Sequence, residues 1–304
     1  MTSESESEVV RGLLLDACKT TQVLSLRPGP SGYSSRLWLA ETDEGPLLIR
    51  IPVRSVDHEH LRSMIVATRL ASETGVPTVR FRAFNPNTRL GPVLIQEYRP
   101  GERASEFLKR NPERLKRISS TVGHWIGILH QADRQRHGGI LGGPLFPSWA
   151  AQVKARVADA LEQIDTSCLP DAGPQIIGAF EKAIGSLPDS QSASLVHADL
   201  YFDNVLVHDN EAVCLLDFEH AYYGDRFADF GKIRELMFEL WPGCEEPFMA
   251  AYRQTHPEGD GDGARLRVAL GLYELSQLAY FSRWQPDLVP FYRDRVNRWL
   301  TSSL

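Results

Sequence analysis

Between residues 195 and 221 the chain reads LVHADLYFDNVLVHDNEAVCLLDFEHA. Two acidic runs, each led in by apolar residues, flank two short β-type segments, VLVHD and AVCLLD. These segments pair as a hairpin about Asn210-Glu211, because Asn accepts the left-handed backbone that a tight turn requires. A turn there sets Asn204 opposite Asp217, with Cβ atoms about 4.5–5.5 Å apart. A carbonyl oxygen and a carboxylate then stand side by side at the open end of the hairpin. Hard oxygen ligands of this kind suit Mg²⁺, which takes one or two protein oxygens and completes its shell with water and phosphates. Asp199, in the loop just before, reaches the same mouth.

The order of these residues follows the kinase template H-R-D-L-x-x-x-N and then D-F-G. Here HADLYFDN places Ala198 where the template has Arg, and DFE stands in place of DFG. In such a site the Asp orients or deprotonates the acceptor hydroxyl, and the Asn and second Asp hold metal. The missing Arg and Gly, and the lack of an A-P-E segment, argue against a protein kinase. The chain resembles the aminoglycoside phosphotransferase / choline kinase family of small-molecule kinases. The resemblance rests on His197, Asp199, Asn204, Asp217 and Glu219, and on the trailing GDRFADFGKI with Asp225 and Asp229.

The resemblance implies a bilobal, α+β, protein-kinase-like fold with nucleotide in the cleft. It also implies ATP or GTP as donor, Mg²⁺ as cofactor and a hydroxyl-bearing small molecule as acceptor. Asp199 would be the catalytic residue, with Asn204 and Asp217 on the metal. Antibiotic inactivation is the leading substrate class, and a metabolic hydroxyl such as that of choline, homoserine or a sugar is the alternative. A nucleotide-binding protein without turnover is a third reading, against which the intact Asp199, Asn204 and Asp217 count.

Upstream, residues 1–98 read as helix, hairpin, strand, helix, hairpin: a small antiparallel sheet with a packed helix. Residues 9–18 form the first helix, and the first eight residues are a frayed tail. The third strand, LLIRIP, carries Arg50 where kinases place a phosphate-holding Lys. Its carboxylate partner is unassigned: Glu59 and Glu73 are the carboxylates on the helix at 57–74, but neither falls where the resembled family places its Glu. PGPSGYSS offers backbone donors from Ser31, Gly32, Tyr33 and Ser34 to phosphate, or is a plain hairpin turn. Gln96, Glu97 and Tyr98 lie where a hinge would present backbone groups to the base.

At Arg99-Pro100-Gly101 the texture changes, giving a nucleotide-binding lobe over 1–98 and a mostly helical catalytic and substrate-binding lobe over 99–304. Helical patterns cover 113–132, 148–164 and 175–185, and the chain reads helical from about 225 to its end. Ile118, Val122, Trp125, Ile126 and Leu129 share one face of the first of these. His130 and His197 read as structural, the latter bracing the catalytic loop.

Charge sharpens the picture. The first 98 residues hold 11 basic and 11 acidic side chains, so the net −6 belongs wholly to the remainder. Residues 199–274 contain sixteen acids against six bases. That excess either attracts a cationic substrate or reflects ordinary solvated faces. Glu235, Glu239 and Trp241 are candidates for substrate contact. Nothing resembles the basic footprint of a nucleic-acid binder. No signal-peptide pattern or long apolar run appears, and four scattered cysteines without a CxxC pair fit a reducing cytoplasm.

Overall fold

A computed structural model describes residues 3–17, 22–29, 35–165, 168–169, 173–190 and 192–302. The chain opens with α1 (Ser3–Ala17), β1 (Val23–Pro28), β2 (Ser35–Thr42), β3 (Leu47–Pro52), α2 (His58–Glu73), β4 (Phe81–Thr88) and β5 (Gly91–Glu97). The strands form one antiparallel sheet in the order β1-β2-β3-β5-β4. Alternating burial along β3 explains its central place: Leu47, Ile49 and Ile51 point into the core, while Arg50 lies on the opposite face. The side chain of Asp57 accepts the Glu59 N–H at 3.1 Å and starts α2, and Gly75, at φ 98°, follows its end.

The expected tail is instead helix from Ser3 onward. Val10 and Leu14 are fully buried against the sheet, and the Trp38 indole N–H donates to Glu6 Oε1 at 3.0 Å. An acidic, Ser-rich sequence looks solvated until tertiary packing supplies that partner. Ser31, Gly32, Tyr33 and Ser34 lie outside the described residues, as does Cys18.

The second part runs β6 (Glu102–Arg103), α3 (Ala104–Arg110), α4 (Leu115–Leu129), β7 (Asp133–Arg134), β8 (His137–Gly138), β9 (Leu145–Phe146), α5 (Trp149–Gln163), α6 (Gly173–Gly185) and β10 (Ala193–Val196). It continues with β11 (Val205–His208), β12 (Glu211–Leu215), β13 (Tyr222–Gly224), α7 (Phe230–Ile233), α8 (Glu245–Tyr252), α9 (Asp262–Trp284) and α10 (Val289–Thr301). The helical reading after residue 225 holds only in pieces: a π-helical stretch at Arg234–Phe238 and loops interrupt it. A sheet in the order β7-β10-β13-β8-β9 and the strand β6 beside β11 were not expected. Strands of two residues are too short to leave a period in the sequence.

The hairpin forms, but not in the expected register. Asp209 and Asn210 take the left-handed conformation at φ 49° and 65°, so the turn lies one residue earlier and Glu211 pairs with His208. A bulge past Leu206 then absorbs one residue. The Leu216 N–H donates to the Asn204 carbonyl at 2.8 Å, so Asp217 stands one residue beyond the pair facing Asn204.

One apolar core runs from α2 through α3, α4 and α8 to the hairpin, and contains all five apolar residues expected on α4. It includes Phe202 and Phe218, both 1% exposed, which anchor the two acidic runs. The Leu215 N–H also donates to the Pro77 carbonyl at 2.8 Å, tying the first sheet's connections to the hairpin.

Candidate active site

His197 directly follows β10 and is fully buried. Its Nδ1 accepts the Asp199 N–H at 3.2 Å, and its Nε2 donates to the Leu216 carbonyl at 2.8 Å. Both ring nitrogens are therefore committed to backbone, which ties the loop to the strand after the hairpin. The ring also packs on Phe218, with centroids 4.6 Å apart. Asp229 grips the same loop from below: its Oδ2 accepts the His197 N–H and its Oδ1 the Ala198 N–H. The His130 ring meets Asp229 Oδ2 at 2.9 Å and the Tyr252 hydroxyl at 3.0 Å. Burial alone would raise the Asp229 carboxyl, but hydrogen bonding and charge from His130 and the loop hold it below the usual carboxylate range.

This grip turns Ala198 to φ 63° and aims Asp199 into the mouth of the hairpin. Asn204 Nδ2 donates to the Asp199 carbonyl at 2.8 Å and to Asp199 Oδ2 at 3.0 Å. Its side-chain oxygen, Oδ1, receives no hydrogen bond among the described residues. Asn suits the position because it carries a donor for the carboxylate and an acceptor-type oxygen on one short stem. The other carboxylate oxygen, Asp199 Oδ1, is bonded by Lys232 Nζ.

Asp217 follows β12 in left-handed conformation, φ 65° and ψ 62°. Its Oδ1 is buried with no partner among the described residues. Burial, then the like charge of Glu219, raises its carboxyl, while the Arg50 charge opposes both. Glu219 lies 3.4 Å from His220 Nε2. The hydrogen bond from His220, with a smaller contribution from Arg50, lowers its carboxyl. Arg50 thus faces two carboxylates of the second part. Among the described residues no ion pair joins it to α2: Glu73 pairs with Arg69, and Glu59 lies against Gly142 in a cavity of about 390 Å³ that also meets Glu219 and His220.

The hinge residues need a narrower reading. The Glu97 and Tyr98 N–H groups donate to the carbonyls of Arg80 and Pro46, at 2.8 and 3.0 Å, so neither is free for a base. The Gln96 side chain is buried with its Oε1 unpartnered. The acids expected to meet substrate are also largely engaged. Glu239 is held by Arg295 at 2.9 and 3.1 Å and by Arg234, and Glu235 Oε1 accepts from the Tyr292 hydroxyl at 2.6 Å. Trp241 is half-buried edge-on against Phe202. None of these three forms a hydrogen bond, ion pair or ring contact with Asp199, Asn204 or Asp217 among the described residues.

Sequence reasoning gave no site role to Lys232. Its only signal was its place three residues after Asp229, one helical turn on, where both side chains address the same loop.

A sheet with a cation on its third strand, set over a helical base that presents Asp199, Asn204 and Asp217, is the architecture of a small-molecule kinase. The chain belongs to the phosphotransferase enzyme family, whose model matches residues 25–267. None of the curated proteins matches the chain. Among solved structures, it is similar to aminoglycoside phosphotransferase APH(4)-Ia, with TM-score 0.72 and 16% identity over 98% of this chain and 99% of that one. A thermostable mutant of that enzyme, solved with AMP-PNP and hygromycin B, gives TM-score 0.70 and 17% identity over 97% of this chain and 98% of that one. A putative fructosamine-3-kinase from Haemophilus somnus 129PT gives 0.68 at 17% identity, over 96% and 97%. Macrolide 2'-phosphotransferase MphH from Brachybacterium faecium gives 0.58 at 16%, over 98% and 99%. No helix among the described residues is long and apolar enough to cross a membrane.

Proposed function

We propose that this kinase moves the γ-phosphoryl group of ATP or GTP to a hydroxyl of an antibiotic. The observation that carries the reading is the grouping at the hairpin mouth: Asp199 held by Asn204, beside the buried, unpartnered oxygen of Asp217. A carboxylate left unpaired in a buried site is costly unless a cation satisfies it. Asp217 and the Asn204 side-chain oxygen Oδ1 fit Mg²⁺, which when bound would neutralise phosphate charge. Asp199 receives the acceptor hydroxyl and takes its proton as the phosphoryl group transfers. Arg50, whose guanidinium is always charged, steadies the triphosphate from β3. Residues 1–98 act as the nucleotide-clamping lobe and 99–304 as the lobe that holds the acceptor. Catalysis is mostly positioning and charge neutralisation.

The likeness to antibiotic phosphotransferases supports an antibiotic acceptor, while the fructosamine-3-kinase likeness supports a metabolic sugar hydroxyl as second reading. A phosphate-transfer screen separates them: aminoglycosides, macrolides, cyclic-peptide and nucleoside antibiotics against choline, homoserine and glycated amines, each with ATP and GTP. We expect transfer to one antibiotic class, abolished by Asp199→Ala with nucleotide binding retained. Wild type and variant equally inert across the panel, with nucleotide still bound, would overturn the enzymatic reading.

A further inference from the structure

Lys232 has an unusual position for a surface-derived cation. It sits on α7, a single turn, with its Nζ on Asp199 Oδ1 and 5.2 Å from the centre of the Tyr201 ring. Its side chain is 27% exposed and that of Asp199 14%, so the pair is only partly screened by solvent. Asp229, three residues earlier at the end of the 3-10 turn that leads into α7, grips the backbone of His197 and Ala198. One helical segment thus holds the catalytic loop by its main chain and its functional carboxylate by the side chain. Asn204 closes the other side of that carboxylate.

We propose that Lys232 is a catalytic residue of the transfer reaction: it holds Asp199 before transfer and presents its ammonium to the phosphoryl group in flight. The inference rests on the kinase reading above. An acceptor hydroxyl bonded to Asp199 has its oxygen about 3 Å from that carboxylate, hence within about two hydrogen-bond lengths of Nζ. The four-carbon stem spans the difference by rotamer change. As the acceptor oxygen bonds to phosphorus and the bond to the nucleotide's bridging oxygen breaks, negative charge spreads over the three equatorial oxygens. The acceptor proton passes to Asp199, and Lys232 keeps its own throughout. Arg50 approaches from the sheet side and Lys232 from the helical side, so the two cations serve different ends of the reacting chain.

The test uses Lys232→Met, which keeps the stem and removes the charge, and Lys232→Arg, which restores the charge. Phosphate release to water, and transfer to any acceptor found, are measured with full-length protein. Lys232→Met should lower kcat about 100-fold with nucleotide KM within about twofold, as when one preorganised charge donor is removed. Lys232→Arg should recover about tenfold of that loss. Binding of ADP with Mg²⁺ and aluminium fluoride, a mimic of the group in flight, should weaken in Lys232→Met while binding of ADP alone does not. An unchanged kcat in Lys232→Met, or a loss that tracks Tm and ADP affinity together and is not rescued by Arg, overturns the proposal alone. A wild type that binds ADP but releases no phosphate to water or any acceptor overturns the kinase reading and this inference with it.

Discussion

Ala198 and Asp217 carry left-handed backbone, at φ 63° and 65°, a conformation that costs a non-glycine residue about 1–2 kcal/mol. Both flank the mouth where Asp199 and Asn204 meet, and both are held there by buried groups: the Asp229 carboxylate under Ala198, and Phe218 beside Asp217. The strain between His197 and Asp199 is a backbone property, which the H-A-D order does not reveal until φ is known. Asp229 should be the most sensitive of these positions. Asp229→Asn leaves one loop N–H poorly accepted and should lower unfolding free energy by about 3 kcal/mol, read by urea denaturation at pH 7. Its carboxyl is held low in the fold, so its contribution is present above the unfolded carboxylate value near ~4 and lost as pH falls through the lower folded value. The gap between variant and wild type should therefore narrow on acidification. A gap that widened would contradict the assignment.

At the scale of elements, α4 and α8 approach closely enough that a Cβ on Gly123 would collide with the Phe248 carbonyl. Backbone cannot yield as a flexible side chain does, so Gly123→Ala should destabilise by about 1–3 kcal/mol. The urea midpoint should shift with an unchanged slope. No loss of stability would mean that the two helices slide freely. The five apolar residues of α4 were legible because a 15-residue amphipathic helix repeats its signal several times. The hairpin was legible as a hairpin, but its register was not. Asp209 and Asn210 compete with Asn210-Glu211 for the turn, and the bulge that settles the count answers to packing of both strand faces.

For the molecule as a whole, the acidic excess means less than its count. Asp199 is paired with Lys232, Asp225 with Arg265, Asp262 with Arg226, and Glu239 with Arg295 and Arg234. At the mouth, Glu219 is balanced first by His220 and then by Arg50, and Arg50 also opposes the charge of Asp217. Raising salt from about 0.05 to 0.5 M should then lower kcat/KM for a cationic acceptor only about two- to fivefold, and for a neutral one hardly at all. A drop beyond about tenfold for the cationic acceptor would show a stronger field than these pairings leave. The sequence by itself determined the kinase class and the sheet-then-helices order, and it singled out Asp199, Asn204 and Asp217 as candidates, because short-range motifs and helical periodicity are local properties. Tertiary structure alone decided the hairpin register, the helical N-terminus, the pairing of the acids and the meeting of Lys232 with Asp199. Those depend on contacts between residues tens of positions apart, whose geometry no local pattern encodes.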